Sequence, residues 1–89
     1  MRKPNLIHDL KIHPEPFRAV QANKKTAELR KMDRDYQVGD LIRLKEFDPD
    51  SSEFTGQFVL AEITHITKLN DWIDNLMAPY GMLSMRRLL

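Results

Sequence analysis

The feature that most constrains the fold is an alternating run near the middle of the chain, Gln57 to Thr67. Within it Val59, Ala61 and Ile63 fall two residues apart, and because side chains alternate across a β-strand they form one apolar face. A second run, Leu41 to Phe47, is also rich in strand-forming residues. The two runs, separated by a short polar segment, predict an antiparallel hairpin.

Shorter patterns predict the remaining elements. Pro14 and Pro16 suit the first turn of a helix, where a missing backbone N–H costs nothing, and Asn23 tolerates the left-handed conformation in which a helix stops. Asn70 is a candidate cap for a second short helix, in which Trp72 would face the core. The predicted elements are a strand at 6–12, a helix from Pro14 to near Ala22, a strand at 26–31, a tight turn at Gly39, strands at 41–47 and 57–67, a turn at 54–56, a helix from Asn70 to before Pro79, and a strand at 82–88.

This order predicts an α+β fold, a small and mostly antiparallel β-barrel or half-barrel with two short helices at its mouth. With 89 residues the chain is expected to form one domain over 6–89, preceded by a flexible N-terminus at 1–5. There is no cysteine, as is common for a reducing cytosol, and no apolar run approaches the roughly 20 residues of a membrane span. We therefore expect a cytoplasmic protein that does not enter a membrane.

The net charge of +1 conceals an uneven distribution of charge along the chain. Residues 1–34 hold nine Lys or Arg against four Asp or Glu, whereas residues 35–85 hold three against nine. If the two halves segregate in space, the protein has one basic and one acidic face. A basic face is suited to binding phosphates.

The sequence offers little for a metal site. The three imidazoles, His8, His13 and His65, have no zinc-type spacing. The acidic segment 48–53 has the composition of a calcium loop, but Glu53 stands where such a loop needs glycine, so we interpret it as a solvated hairpin tip. No metal and no cofactor is expected.

A dense cluster of charges spans residues 23–31, NKKTAELRK. In a strand, Thr26, Glu28 and Arg30 lie on one face, and Lys25 sits at the entry to that face. From spacing alone, a solvated face with a weak Glu28–Arg30 pair is the simpler interpretation.

Two functional interpretations compete with the solvated face. In a binding site, Arg30 supplies a planar fork and Lys24 and Lys25 supply point charges for phosphates or base edges. In a catalytic site, Lys25 acts as nucleophile or base, and Glu28 moves protons or holds Lys25 in place. The aromatic residues able to stack on a base, if they line the same site, are Tyr36, Trp72 and Tyr80.

The same string resembles the signature of ASCH domains, members of the PUA-like superfamily, which reads Gly-x-Lys-x-x-Glu-x-Arg. In residues 23–30, Lys25, Glu28 and Arg30 match, and Asn23 replaces the glycine. Asparagine also tolerates the left-handed conformation. Further matching stretches, in the family's order, are QVGDL at 37–41, FTGQ at 54–57 and YGMLSMRRL at 80–88. The resemblance runs from about His8 to Leu88 and is closest to a small ASCH-like family of unknown function in bacteria and phages. It implies a location in the cytoplasm of a bacterium or of a phage-infected host.

The resemblance implies a β-barrel with a cleft beside the helix after the first strand, proposed to bind RNA and lined by the signature residues. One branch of ASCH proteins removes the acetyl group of N4-acetylcytidine with the signature lysine, a threonine at the signature-glutamate position, and a distant glutamate. Here Glu28 occupies the threonine position and Thr26 lies two residues earlier. Glu62 is the only candidate for the distant carboxylate.

Three hypotheses follow. The first is an RNA- or nucleotide-binding module, whose predicted binding residues are Lys24, Lys25, Thr26, Glu28, Arg30, Lys31 and Arg34. The second is a small amidohydrolase acting on a modified nucleoside such as N4-acetylcytidine, with Lys25 and Glu28 as catalytic residues. The third is a phage or prophage accessory protein that binds a host protein, with the acidic half as its working surface.

Overall fold

The computed structural model describes residues 6–89. The predicted N-terminal segment 1–5 lies outside the described residues. Within them the chain forms five β-strands and one α-helix, in the order β1 (Ile7–Ile12), α1 (Pro14–Gln21), β2 (Ala27–Lys31), β3 (Leu41–Asp48), β4 (Glu53–Lys68), a 3-10 turn (Leu69–Asp71) and β5 (Tyr80–Arg87).

The five strands form one sheet in the order β1-β3-β4-β5-β2. Strands β1 and β3 run parallel, and the other three pairs are antiparallel. The sheet curls into a half-barrel, of which β1 and β2 are the two edges. The predicted α+β class and mostly antiparallel sheet are confirmed at this level. The parallel pair was not predicted; it requires the crossover that α1 and β2 supply between β1 and β3.

The core lies on one face of the curled sheet, which we call the inner face. Helix α1 covers this face with Phe17 and Val20, both buried. Strands contribute side chains at every second position, as the alternating burial of β1 and β3 shows. The buried apolar residues of the strands are Leu10, Ile12, Ile42, Leu44, Val59, Ala61, Ile63, Leu83 and Met85.

One buried polar pair joins β1 to the turn before β3. His8 Nε2 lies 2.8 Å from Asp40 Oδ2, and Asp40 also accepts a hydrogen bond from the backbone N–H of Gln37 at 3.0 Å. The His8 ring packs against Tyr36 with centroids 4.7 Å apart. The turn at Gly39 has the predicted positive φ, +95°, and Asn23 after α1 is left-handed at +59°.

The predicted second helix is wrong. Only Leu69–Asp71 form a short 3-10 turn, and Asn75, at a φ of +66°, breaks any helical continuation. Instead of capping a helix, the Asn70 side chain donates to the Ala78 carbonyl and accepts from the Tyr80 N–H, so it ties the two ends of a loop together. Trp72, predicted in the core, is 81% exposed.

Two strand boundaries also differ from prediction. The predicted turn at 54–56 is part of β4, because Gly56, at a φ of +92°, takes up a bulge while Phe54 still pairs with Phe47. Strand β5 begins at Tyr80 and includes Gly81, where an added Cβ would lie 2.5 Å from the Met32 sulfur. Among the described residues, no helix has the length and apolar character needed to cross a membrane.

Candidate functional site

Strand β2 turns its charged face inward. Glu28 pairs with the fully buried Leu83 of β5, and residues paired across strands point to the same side of a sheet. Glu28 is therefore 7% exposed, whereas the adjacent Leu29 is 51% exposed. The solvated face that spacing alone favours is wrong for Glu28, because β2 is an edge strand whose inner side looks into the half-barrel.

The buried Glu28 carboxylate is shared by two cations. Its Oε2 accepts from Arg30 Nη2 at 2.7 Å and from Arg30 Nε at 3.0 Å. Its Oε1 lies 3.3 Å from Lys25 Nζ, and that ammonium also donates to the Ala27 carbonyl at 2.6 Å. Each carboxylate oxygen thus has a cationic partner, which a buried carboxylate requires. The three residues of the predicted cluster do come together.

Arg30 also spans the opening between the two edge strands. Its Nη2 donates to the Lys11 carbonyl of β1 at 2.6 Å, and Arg34 makes a longer contact of 3.4 Å to the Asp9 carbonyl. These carbonyls belong to the side of β1 that faces away from β3. The edge of β1 is therefore partly satisfied by side chains from the opposite edge of the sheet.

Two cavities flank Arg30 in the opening between β1 and β2, and together we call them the cleft. The larger, about 410 Å³, lies on the α1 side and is lined by residues that include His13, Lys25 and Lys31. The smaller, about 350 Å³, lies on the β3–β4 side and includes Arg34. Six Lys or Arg side chains line the cleft, against two carboxylates, Asp9 and Glu28. The cleft is therefore strongly basic although the whole chain is nearly neutral.

The structure divides the predicted binding residues into two groups. Lys25, Glu28, Arg30, Lys31 and Arg34 line the cleft, whereas Lys24 and Thr26 are exposed and lie outside both cavities. The lining residues that sequence analysis missed include two lysines and two phenylalanines, Lys11, Lys45, Phe47 and Phe54. The signal for Lys11 and Lys45 is their position opposite each other on two paired strands, and the unpredicted parallel pairing concealed it.

None of the three aromatic residues predicted to stack on a base lines the cleft. Tyr36 is buried against His8, and this burial raises the pKa of its phenol above the usual value of 10.0, although the nearby Arg34 opposes the shift. Tyr80 lines a separate cavity of about 270 Å³ beside Met32. Trp72 projects from the loop after β4.

Glu62, the candidate distant carboxylate, lies on the outer face of β4. Its neighbours Ala61 and Ile63 are fully buried on the inner face, and Glu62 pairs instead with Arg86 on the outside of β5. It is not among the residues lining the cleft. Across residues 6–89, no group of three or more His, Asp or Glu side chains is placed to hold a metal ion.

The fold and the site together define the class of this protein: it is a small α+β half-barrel with a basic cleft between its edge strands. Residues 7–85 match the family described as Domain of unknown function (DUF3850), and the chain belongs to this family. It is also 44% identical, over 69 residues, to the uncharacterized 12.9 kDa protein in the GpA 3′ region of Escherichia phage P2. That alignment covers 78% of this chain and 62% of the phage protein.

Proposed function

We propose that the protein is an ASCH-like, PUA-like module that binds RNA or a nucleotide in the cleft. The observation that carries the proposal is the buried Glu28 carboxylate, which holds Lys25 and Arg30 in place at the cleft wall. A buried carboxylate fixing two cations orients them before any ligand arrives, and such pre-organisation favours binding.

The cleft offers two kinds of contact to a nucleotide. Lys11, Lys25 and Lys31 supply compact ammonium charges suited to phosphate oxygens. Arg30 already uses part of its guanidinium on Glu28 and the Lys11 carbonyl, so its guanidinium plane is held in a fixed orientation between the two cavities that it lines. Such a plane stacks on a base. Lys24, exposed beside the cleft, would add long-range attraction for phosphates.

The hydrolase hypothesis is the second candidate, because Lys25 and Glu28 are 3.3 Å apart. In it, water adds to the acetyl carbonyl of N4-acetylcytidine, the bond from that carbon to the exocyclic N4 breaks, N4 gains a proton, and acetate and cytidine leave. Glu62 lies outside the cleft, so this reaction would rest on Lys25 and Glu28 alone. Acetate release that is lost in Lys25→Ala would identify the protein as this enzyme.

The test of the binding proposal is a proton–nitrogen NMR titration with cytidine monophosphate and a short single-stranded RNA. We expect the amides of residues 23–34 to shift, and Lys31→Ala to weaken RNA binding and reduce its dependence on salt by about one ion released. Lys68→Ala is the control, since it removes an exposed lysine that lines the separate cavity beside Met32 and neither cavity of the cleft. Shifts elsewhere, or equal losses in both variants, would contradict the proposal and direct attention to a protein partner.

A further inference from the structure

Three phenylalanines lie on the outer face of the β3–β4 hairpin, opposite the core. Phe54 is 51% exposed and Phe58 is 50% exposed, while Phe47 is half-buried. Phe47 pairs with Phe54 across the two strands, and their rings meet edge to face with centroids 5.2 Å apart. We call these three residues the aromatic platform.

Each ring of the aromatic platform carries a cation. Lys11 Nζ lies 4.4 Å from the centroid of Phe47, and Lys45 Nζ lies 4.8 Å from that of Phe54. The Arg43 guanidinium lies 5.9 Å from the Phe58 ring. Positive charge therefore alternates with aromatic surface across three neighbouring strands, β1, β3 and β4.

The aromatic platform is continuous with the cleft. Phe47 and Phe54 form one wall of the smaller cavity, and Arg30 and Arg34 form another. Lys11 belongs to both surfaces, since its side chain covers Phe47 and its carbonyl accepts from Arg30. A ligand that leaves the cleft on this side meets the phenylalanine rings next.

Shielding of an apolar strand end by lysine stems is the simpler explanation of this pattern. It accounts for the half-buried Phe47, but it leaves Phe54 and Phe58 each with half of its surface in water. The acidic hairpin tip, with Asp48 and Glu53, bounds the surface at one end, and Asp9 pairs with Arg43 at its other side. The basic and aromatic residues thus form one continuous surface with acidic residues at its borders.

We propose that the aromatic platform stacks the unpaired bases of a single-stranded nucleic acid that extends out of the cleft. The inference rests on the proposed function and makes its ligand a polymer of several nucleotides. Aromatic side chains that accept stacked bases, interleaved with cations that follow the phosphates, are the combination used for single strands. The bases of a duplex already stack on one another, so they are not free to stack on the aromatic platform.

The test compares fluorescein-labelled octauridylate and octathymidylate with uridine monophosphate. We expect the single strands to bind at least about tenfold tighter than the mononucleotide, and Phe54→Leu and Phe58→Leu each to weaken them about five- to tenfold. Leucine keeps the apolar bulk and removes the π-face. The monophosphate should still shift the amides of residues 23–34 in Phe58→Leu, because Phe58 lines neither cavity of the cleft. Trp72→Leu, which removes an exposed aromatic residue that lines neither cavity of the cleft, is the control and should change nothing.

A third test variant probes the same surface and leaves all three phenylalanines in place. Lys45→Met keeps the stem over Phe54 and removes the charge, so it should reduce the salt dependence of octanucleotide binding. Wild-type affinity in all three variants, or equal affinity for an octamer duplex, would overturn the inference. Monophosphate binding without any gain from octamers would overturn it and leave the proposed function standing. Absence of binding by every nucleotide would remove both.

Discussion

Arg30 and Lys11 join the two free edges of the sheet through a single hydrogen bond, from the guanidinium Nη2 to the backbone carbonyl at 2.6 Å. In a closed barrel this junction would be a ladder of backbone hydrogen bonds. Here the Arg30 side chain takes the place of that ladder, and its hydrogen bonds to the Glu28 carboxylate fix its orientation. The opening that results is the cleft, so the contact that stabilises the half-barrel also shapes its site.

Arg30→Ala should lower the free energy of unfolding by about 2–3 kcal/mol, because it leaves Glu28 buried with Lys25 as its remaining charged partner. Urea unfolding at neutral pH measures the change. The double variant Glu28→Met/Arg30→Met removes both charges and should recover part of the loss. A single-variant cost under about 0.5 kcal/mol would mean that the pair behaves as a solvated one.

Asp40→Asn should also destabilise the fold, by about 2–4 kcal/mol. Asp40 is 1% exposed, and its carboxylate accepts from His8 and from the Gln37 N–H. The change therefore weakens one contact that holds β1 against the turn before β3 and another within that turn. Asp50→Asn, at the exposed hairpin tip, is the matched control and should stay within about 0.5 kcal/mol of wild type. Equal small effects in chemical unfolding would show that the buried pair contributes little.

The burial of Tyr36 predicts that the folded protein loses stability at alkaline pH. Burial raises the pKa of its phenol in the folded state above 10.0, so its contribution is fully present below pH 10 and is lost as the pH rises through the higher, folded-state pKa. Free energies of unfolding between pH 8 and pH 11 should therefore fall less steeply in Tyr36→Phe than in wild type.

Tyr80→Phe is the control for that series, since Tyr80 lies beside a separate cavity. Tyr36→Phe and Tyr80→Phe differ only in which phenol is removed, so the difference between their two slopes isolates Tyr36. Parallel slopes in Tyr36→Phe and wild type would contradict the assignment.

Local patterns in the sequence were sufficient for most elements of the fold. The alternation of Val59, Ala61 and Ile63 identified β4 and its buried face, although the strand begins earlier, at Glu53. The paired prolines placed the start of α1 at Pro14. Both signals are short-range, since they depend on residues two to four positions apart. The parallel pairing of β1 with β3 depends instead on contacts more than 30 residues apart, as in the pair Ile7 and Leu41, and no local pattern encodes it.

The candidate site was also predicted only as far as local sequence patterns allow. The signature residues Lys25, Glu28 and Arg30 were found from their spacing, but whether that face is buried depends on which edge of the sheet β2 occupies. Lys11 and Phe47 reach the site from strands that come next to β2 only when the sheet curls. The sequence shows that these residues are a lysine and a phenylalanine, but it does not show that they lie beside β2.

Asn70 accounts for the failed second helix and provides a test of that explanation. Its amide donates to the Ala78 carbonyl at 3.1 Å and accepts from the Tyr80 N–H at 2.9 Å, closing the loop that carries Trp72. Asn70→Ala should cost about 1–2 kcal/mol, and amide hydrogen exchange over residues 71–78 should accelerate while exchange in β3 stays unchanged. Asn75→Gly is the matched change in the same loop, and it should be neutral or stabilising because glycine favours the positive φ that Asn75 adopts. If Asn70→Ala instead produced slower exchange and added helical signal in circular dichroism, the side chain would be suppressing a helix rather than closing a loop.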